Sequence, residues 1–458
     1  MKIKLFHLAQ LLGGKLIING DEYSPFTPIE LSLNVDSRKI KDGEVFVCIR
    51  GINSNGHDFA EDALKKGAIG LISERELKLD KDSYFQIVVS DTKEALKKVG
   101  KFILDEVNPV QICITGSAGK TTVKELIYSV LSPKLDISKT FGNFNTPIGL
   151  PLSLTKINMN TKYFVAEISA SYPGEMDENL SIVTPDIGII TNIGESHLEF
   201  LGDVNGVFAE KVKLAKALKE NCFLLVNGDN LLSRSALNFV SSGYSYGIKS
   251  LSNIIGENIV FNGSFTYFDV TINGKKAGSF SLETLGEHFV LNSLPAIYLG
   301  FTFGLTSNEI KTGLLKFKPL PGRGRLLNLR DGIKVFDDSY NANPLSFEAS
   351  IRAFDKIHKI NSILVMGDML ELGAKSDSLH RQIAKIVSAN SFSKVLYVGK
   401  YASQIKDELS PDIEFIQFND SFAISNYLKE TVKSGDAILI KGSNSMNLEK
   451  VVEVLINW

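Results

Sequence analysis

The chain has 458 residues, 44% of them hydrophobic and 22% charged, and its formal net charge is −2. This composition is typical of a globular protein rather than a disordered one, and the length predicts two to four domains. The near-neutral charge argues against a nucleic-acid partner, because such partners are held by a basic field.

The sequence also bears on the compartment. Three cysteines, Cys48, Cys113 and Cys222, lie far apart in apolar runs, which predicts reduced core residues rather than disulfides or a metal site. The first 14 residues lack the apolar stretch of a signal peptide and predict an amphipathic helix that ends at Gly13 or Gly14. No apolar run is long enough to span a membrane. We therefore expect a cytoplasmic monomer with no membrane partner.

Residues 1–106 alternate short strands with helices. A strand is predicted over residues 45–49, a helix over 60–66 and another strand over 69–72. A helix should end before Pro109, because the residue that precedes a proline is disfavoured in helical geometry. The pattern predicts a small α/β domain over residues 1–106.

The next stretch has the order strand, glycine-rich turn and helix. The apolar run 110–114 predicts a buried strand, and TGSAGKTT then leads into a helix with apolar periodicity. Gly116 and Gly119 would let backbone amides approach phosphate oxygens, and the helix N-terminus adds partial positive charge. Lys120 is expected on the β- and γ-phosphates and the Thr121 hydroxyl on Mg²⁺. The alternative, a purely structural glycine turn, is disfavoured because strand, loop and helix all agree.

This loop is shorter than the usual Walker loop, with two residues between its glycines instead of four. The predicted nucleotide-binding residues of the loop are Gly116, Ser117, Ala118, Gly119, Lys120, Thr121 and Thr122.

Residues 107–315 form the predicted central region. Its strands are expected over residues 163–168, 187–191, 222–226 and 265–272, with helices between several of them. That pattern predicts a mostly parallel sheet of the P-loop ATPase type. Glu167 ends one predicted strand and His197 follows another, so both should lie at the carboxyl edge, where ligands bind. Each residue taken singly could be structural; with the phosphate loop, they are expected to help bind Mg²⁺.

Residues 316–458 alternate again after a linker rich in proline, glycine and basic residues at 316–325. Strands are expected over 334–336, 362–366, 394–398 and 437–440, and helices over 345–356, 377–387 and 447–455. This is a Rossmann-like doubly wound pattern. It lacks the G-x-G-x-x-G fingerprint, so NAD is not predicted.

Nearly the whole chain resembles the Mur ligase family. VDSRKIKDGEVFVCIRG and NGHDFAEDALKKGA are similar to its UDP-binding domain, and TGSAGKTT to its short phosphate loop. TFGNFNTPIGLPLSL, AEISASYPGEM and TNIGESHLEFLG resemble its central motifs. DDSYNANPLSFEAS, MGDMLELGAKSDSLH and LIKGSNSM resemble its C-terminal domain. YNANP and GDMLELG are typical of the members that add D-alanyl-D-alanine.

The resemblance implies roles for individual residues. Lys120 and Arg323 would contact the phosphates of ATP, Asn292 would lie near adenine, and Asp338 would contact the nucleotide. Thr121, Glu167, His197 and Lys211 would bind Mg²⁺, with Lys120, Lys211, His197 and Arg323 forming the catalytic set. The implied substrate-binding residues are Ser37, Arg38, Asn143, Asn145, Asn341 and Asn343.

Lys211 is the least expected member of this set. From sequence alone AEKVKLAKALKE reads as a solvated helix face, and a protonated lysine cannot ligate Mg²⁺. In the family, the lysine at this distance after the histidine is carbamylated by CO₂, which turns an ammonium into a carboxylate. The alignment implies Lys211 rather than Lys213 or Lys216.

The resemblance implies an ATP-dependent peptide ligase that joins D-alanyl-D-alanine to UDP-N-acetylmuramoyl-tripeptide through an acyl phosphate. It also implies three domains: a small α/β UDP-binding domain, the central ATP-binding domain and the C-terminal Rossmann-like domain. Alternatives are another ligase of the superfamily, such as an amino-acid-adding or folylpolyglutamate-type enzyme, a P-loop nucleotide switch, or a non-catalytic binding module. The Asn-Lys-x-Asp guanine motif of a GTPase switch does not occur in the sequence. Whether the third residue of the tripeptide is lysine or diaminopimelate stays open.

Overall fold

The computed structural model describes residues 1–51, 54–357 and 359–458. The chain divides into two compact units. The first comprises Met1–Cys113, Leu135–Ser169 and Glu175–Asp186, and the second comprises Ile114–Lys134, Ala170–Gly174 and Ile187–Trp458. Within the described ranges, no helix has the length and apolar character needed to cross a membrane.

The N-terminal part of the first unit is a small α/β fold. Its strands are β1 Lys2–Lys4, β2 Lys15–Asn19, β3 Pro28–Glu30, β4 Leu33–Asn34, β5 Val45–Val47, β6 Gly70–Ser73 and β7 Tyr84–Val88. Its helices are α1 Leu5–Leu12, α2 Ala60–Lys65 and α3 Thr92–Val107. Five strands form a sheet in the order β2-β7-β6-β5-β4, in which only β2 runs antiparallel to its neighbour. The predicted α/β character of this region is confirmed.

Two predicted helix ends are confirmed in this unit. Helix α1 buries Leu5, Leu8 and Leu12 on one face and ends at Gly13, whose φ of +68° is left-handed. Helix α3 begins after Asp91, whose carboxylate accepts two amide hydrogens of the first turn, and it ends before Asn108 and Pro109. The chain thus leaves α3 just ahead of the phosphate-loop strand.

The central region contributes the largest sheet. Its strands are β8 Val110–Thr115, β9 Ile137–Lys139, β10 Tyr163–Glu167, β11 Ile187–Ile190, β12 Phe223–Asn227, β13 Gly243–Gly247, β14 Ile254–Asn262, β15 Phe265–Ile272 and β16 Lys275–Leu282. Its helices are α4 Lys120–Leu131, α5 Gly149–Leu154, α6 Glu175–Leu180, α7 Leu198–Leu201, α8 Val204–Lys211, α9 Lys213–Lys216, α10 Leu231–Ser235, α11 Glu287–Thr302 and α12 Ser307–Lys316.

These nine strands are ordered β16-β15-β14-β13-β12-β11-β8-β10-β9, and β8 belongs partly to each unit. The strands from β11 to β14 pair in parallel. At the far edge, β14, β15 and β16 form an antiparallel meander. The expected mostly parallel sheet is confirmed. Its antiparallel edge was not predicted, and it forms because short turns join these last three strands.

The last region forms a separate six-stranded sheet with helices, which lies in the second unit. Its strands are β17 Arg325–Asn328, β18 Lys334–Asp338, β19 Ser362–Gly367, β20 Lys394–Val398, β21 Glu414–Phe418 and β22 Ala437–Lys441. Its helices are α13 Pro344–Phe354, α14 Ser376–Ser388, α15 Ala402–Glu408, α16 Ser421–Thr431 and α17 Glu449–Ile456.

The order of this sheet is β17-β18-β22-β19-β20-β21, with β17 antiparallel and the rest parallel. Strand side chains such as Val365 and Ile440 pack with Leu428 of α16 and Val451 of α17 in one buried cluster. The chain returns at its end to place β22 between β18 and β19, which is the predicted doubly wound arrangement. The carboxyl ends of β18, β19 and β22 consequently meet at one edge of the sheet.

The cysteines differ from each other in burial. Cys48 and Cys113 are buried, as predicted. Cys222 is only partly buried, because it lies in the turn before β12 rather than inside the strand, so its assignment to the core was wrong.

Candidate active site

The phosphate loop has the predicted context between β8 and α4. Gly116 and Gly119 adopt φ values of +147° and +82°, which favour glycine, and Gly119 caps the helix. Lys120 is the first helical residue, and its Nζ donates to the Gly116 carbonyl at 2.7 Å. Thr121 is buried in the first turn and Thr122 is partly buried. The loop therefore gathers a lysine, a hydroxyl and a helix N-terminus around one turn.

The segment that follows β11 holds this loop. The Ser117 and Ala118 amides donate to the Asn192 backbone and side-chain carbonyls at 2.9 and 2.8 Å. The Thr191 hydroxyl donates to the Ala118 carbonyl at 2.6 Å. The Ser196 hydroxyl donates to Ser117 Oγ at 2.9 Å. Sequence reasoning missed Thr191, Asn192 and Ser196, although a run of polar residues at a strand's carboxyl end was a signal for them.

Two asparagines from outside the central sheet also reach the loop. Asn292, on α11, is nearly buried, and its Oδ1 lies 2.8 Å from where a Cβ on Gly119 would stand. The Asn343 Nδ2 donates to the Ser117 carbonyl at 3.0 Å, while its Oδ1 caps α13 by accepting from the Ser346 amide. The structure thus brings Asn292 and Asn343 to the loop from separate elements.

His197 is paired with a residue of the last region. Its Nδ1 lies 2.5 Å from Glu371 Oε2, and the Glu199 amide donates to the Glu371 carbonyl at 3.0 Å. The hydrogen bond from His197 lowers the pKa of Glu371, which keeps that carboxylate ionised. Since an ionised carboxylate only accepts hydrogen bonds, Nδ1 carries the imidazole proton and Nε2 is directed elsewhere. Sequence reasoning did not identify Glu371, because the pairing joins residues 174 positions apart.

Lys211 is fully buried at the end of α8, and its Nζ donates to the Ala170 carbonyl at 3.1 Å. Lys213 is partly exposed and pairs with Glu210 at 2.7 Å, and Lys216 is exposed. Burial therefore distinguishes Lys211 from the two neighbouring lysines, although the sequence pattern alone favoured a solvated face for all three.

The carboxyl edge of the last sheet holds Asp338. Its Oδ2 accepts from Lys441 Nζ and from the Ser350 hydroxyl. Lys441 is buried, which lowers the pKa of its ammonium, while the Asp338 carboxylate opposes that change. Burial also lowers the pKa of His288 to about 4, with Asp338 and Lys441 as the nearest charges. Asn341 is exposed, and its carbonyl accepts from Lys441.

Arg323 lies in the linker before β17. Its guanidinium stacks on the Tyr340 ring at 3.8 Å, and the Tyr340 amide donates to the Gly322 carbonyl at 3.1 Å. Stacking fixes the plane of the guanidinium and leaves its N–H donors at the edges. The sequence did not identify Tyr340 as the support for Arg323.

The other predicted residues lie in the first unit. Glu167 ends β10, is nearly buried, and its Oε1 accepts from Asn145 Nδ2 at 2.9 Å. Asn145 in turn accepts from the Ser169 amide and hydroxyl through its backbone carbonyl. Asn143 is exposed. This unit therefore joins Glu167 to one of the two predicted substrate-side asparagines.

Ser37 and Arg38 begin a short 3₁₀ helix at Ser37–Lys39. Ser37 is buried and contacts Asp62, whereas the exposed Arg38 binds Asp36 through Nε at 2.8 Å and Nη2 at 2.9 Å. The Arg38 hydrogen bond lowers the pKa of Asp36. In this arrangement Arg38 is held at the surface in a fixed orientation.

Comparison with known proteins places these observations in a family. Three family models match: the Mur ligase family catalytic domain over residues 32–113, the Mur ligase middle domain over 114–300, and the Mur ligase glutamate ligase domain over 322–444. The UDP-N-acetylmuramoyl-tripeptide–D-alanyl-D-alanine ligase of Bacillus subtilis is 32% identical over 92% of both chains.

Two solved structures are similar throughout. The MurF structure from Acinetobacter baumannii superposes with a TM-score of 0.87 and 25% identity, covering 100% of this chain and 99% of that one. MurF ligase from Thermotoga maritima, solved with ADP, has a TM-score of 0.82 and 27% identity over 93% and 97% of the two chains. The match of all three family models and a relative above 30% identity over nine-tenths of the sequence lead to one conclusion: the chain belongs to the Mur ligase family.

Proposed function

We propose that this protein is an ATP-dependent peptide ligase that joins D-alanyl-D-alanine to UDP-N-acetylmuramoyl-tripeptide. The observation that carries the proposal is the match, along 92% of both chains, to a relative named for that reaction. The site supports it, because the second unit holds a phosphate loop, an asparagine that contacts this loop, and an arginine stacked on a tyrosine. We also propose that residues 1–106, 107–315 and 316–458 are the UDP-sugar, ATP and ligase domains.

The proposed chemistry has two steps. The terminal carboxylate of the tripeptide attacks the γ-phosphorus of ATP, and the bond to the bridging oxygen breaks to release ADP. The amine of D-alanyl-D-alanine then attacks the acyl carbon, phosphate leaves with the bonding electrons, and the nitrogen loses its extra proton. Because the attacking carboxylate and the phosphates of ATP are anionic, the first step requires cations that hold and neutralise charge.

Two cations of this chain fit that task. Lys120 Nζ donates a hydrogen bond to the carbonyl of Gly116 in its own loop. It therefore already lies at the loop and can donate to phosphate oxygens bound there. Arg323 is held flat on Tyr340, so its donors are oriented in advance and lose less freedom on binding a phosphate.

We include Mg²⁺ in the proposal, because the first turn of α4 offers an oxygen donor for it. Among the described residues, no cluster of three or more His, Cys, Asp or Glu could hold a metal by itself. Mg²⁺ usually takes one or two protein oxygens and completes its shell with phosphates and water. Thr121 supplies a buried hydroxyl at the start of α4, and we propose Glu167, His197 and modified Lys211 as further contributors. When bound, Mg²⁺ would supply positive charge to the phosphate oxygens.

We further propose that Lys211 is carbamylated. Its side chain is completely buried, and CO₂ addition to the neutral amine, with loss of a proton, yields a carboxylate that suits a metal. Incubation with ¹³CO₂ should give a carbamate carbon signal that disappears in Lys211→Ala. Lys213→Ala should keep the signal and serves as the control. A signal retained in Lys211→Ala would contradict this assignment.

The function is tested by phosphate release. Release from ATP should require both D-alanyl-D-alanine and a UDP-N-acetylmuramoyl-tripeptide, and parallel assays with lysine and diaminopimelate tripeptides would identify the third residue. Lys120→Ala should abolish release while the protein remains folded. Release with ATP alone would favour a nucleotide switch. No release under any condition would favour a binding module, and dependence on a different amine would favour another ligase of the superfamily.

A further inference from the structure

Two neighbouring strands of the last sheet end on opposite charges. Asp338 is the last residue of β18 and Lys441 the last of β22, and the two are direct partners in the parallel register. Partners in register point to the same side of a sheet, so their side chains meet. Lys441 is only 1% exposed, which makes it one of the most buried charged groups of the unit.

The lysine holds both ends of a short loop. Its Nζ bonds Asp338 Oδ2 and donates to the Asn341 carbonyl at 3.1 Å. The Ser350 hydroxyl, from α13, also donates to Asp338 Oδ2. Among the described residues, no group is hydrogen-bonded to Asp338 Oδ1, and that carboxylate keeps 17% of its side-chain surface exposed. One oxygen of Asp338 is therefore fixed by the protein while the other is available to a ligand.

The same loop supports the arginine of the linker. Tyr340 lies between the two points that Lys441 holds, and its ring carries the Arg323 guanidinium at 3.8 Å. Its amide also bonds the Gly322 carbonyl, next to Arg323. Lys441 thus holds this loop at its two ends, and the Tyr340 amide joins the same loop to the linker.

Stability alone does not explain a buried lysine here. Replacing a buried ion pair with apolar residues of similar size is often neutral or stabilising, because removing two charges from water is costly. Such a pair has a clear use, however, when a polar group must keep one orientation.

We propose that Lys441 is a positioning residue that fixes the loop at residues 338–341 and so presents Asp338 Oδ1 to a hydroxyl or amino group of the bound nucleotide. The inference rests on the proposed function, since it assumes that ATP binds at this edge. A carboxylate oxygen accepts hydrogen bonds, so its target is the ribose or the base rather than a phosphate.

A double-mutant cycle on ADP affinity tests this role. Lys441→Met removes the charge but keeps most of the length of the side chain, and Asp338→Asn makes the side chain a weaker hydrogen-bond acceptor. Each single substitution should weaken ADP binding about tenfold by calorimetry, which equals about 1.4 kcal/mol. If Lys441 acts through Asp338, adding Lys441→Met to Asp338→Asn should weaken binding less than about threefold further.

Lys394→Met is the matched control. Lys394 begins β20 in the same sheet, at the opposite end of the strands, and pairs with Glu414 at 2.9 Å. Its replacement should leave ADP affinity unchanged. Ser350→Ala supplies a second probe should Lys441→Met fail to fold, because it removes the other donor to Asp338 Oδ2. It too should weaken ADP binding, and it should do so non-additively with Asp338→Asn.

The outcomes separate the two proposals. Independent effects of Lys441→Met and Asp338→Asn, or unchanged affinity in both Lys441→Met and Ser350→Ala, would overturn the positioning role. A wild-type protein that binds no ADP would instead overturn the proposed function. A loss of affinity in Lys394→Met equal to that in Lys441→Met would point to general damage to the sheet and would also overturn the inference.

Discussion

Gly116 shows how little space the phosphate loop allows. A Cβ at this position would stand 2.0 Å from Thr191 Oγ1, and the φ of +147° disfavours any other residue. Gly116→Ala should displace the loop and weaken ADP binding about tenfold or more, measured by calorimetry. Gly304→Ala is the control, since Gly304 also has a positive φ but nothing within 4 Å. It should cost about 1 kcal/mol of stability without changing ADP affinity.

His288 should make the protein sensitive to mild acid. Burial lowers its pKa from 6.5 to about 4, so between these pH values the unfolded chain binds a proton at His288 and the folded protein does not. The free energy of unfolding should therefore fall as pH drops from about 6.5 towards 4. Above pH 6.5 the imidazole is neutral in both states, so His288 causes no loss of stability there. Because part of the side chain remains exposed, we expect a loss on the order of 1–2 kcal/mol.

Urea unfolding at pH 7 and pH 4.5 measures this effect. His288→Gln should reduce the difference in unfolding free energy between the two pH values, whereas the same change at the exposed His7 should leave it as in the wild type. His57 and His380, whose pKa values burial also lowers, would keep part of the difference. An unchanged difference in His288→Gln would show that its imidazole is solvated in the folded protein.

Single residues also mark the limit of sequence reasoning. The spacing of glycines and lysine predicted that Gly116, Gly119 and Lys120 lie in a turn between a strand and a helix, because those residue types have few other uses together. The burial of Lys211 could not be predicted in the same way, since its helix contains other lysines and reads as polar. The support for Arg323 by Tyr340 depends on tertiary packing that leaves no local trace.

At the scale of elements, α13 links the last sheet to the phosphate loop. The Oδ1 of Asn343 caps the helix and its Nδ2 donates to Ser117, so one side chain serves two structures. Asn343→Ala should lose both contacts. The free energy of unfolding should fall by about 1 kcal/mol, and ADP should bind more weakly. Asn343→Asp should keep the cap, because a carboxylate accepts from the Ser346 amide, yet it cannot donate to Ser117.

Thermal unfolding and ADP calorimetry distinguish these two effects. Asn343→Asp is expected to unfold near the wild-type temperature and still bind ADP more weakly. Asp91→Ala, which removes the cap of α3 in the first unit, should lower stability by a similar amount and leave ADP affinity unchanged. Wild-type ADP affinity in both Asn343 variants would mean that the loop does not depend on this contact.

Elements with a strong apolar pattern were predicted well. β15 and β20 match their predicted ranges, because they combine β-branched or aromatic residues with clear boundaries. β9 and β13 were not predicted, since ISK and GYSYG carry too few apolar residues to signal a strand by themselves. They form because neighbouring strands offer backbone partners, which is a tertiary effect rather than a local preference.

For the whole molecule, the two units allow a test of where each ligand acts. The described contacts place residues 116–122, 191–197 and 338–343 together in the second unit. Added ADP should therefore slow amide hydrogen exchange in those three segments and leave residues 1–100 unchanged. UDP should protect part of residues 32–113 instead. Lys120→Ala should lose the ADP effect while keeping the UDP effect.

The result that would contradict this division is protection of residues 32–113 by ADP alone.

The alternating strands and helices predicted the general α/β class of every region from sequence. The strand order and the antiparallel edge of the central sheet could not be predicted, because they depend on which strands become neighbours after long excursions of the chain.

The division into units has a consequence for synthesis on the ribosome. The first unit takes its residues from three separated stretches, the last of which ends at Asp186, and the chain enters the second unit in between. A nascent chain of 113 residues therefore lacks part of the material that completes its first compact body. We expect the small α/β fold to form first and the rest of the first unit to pack only after residue 186 has emerged.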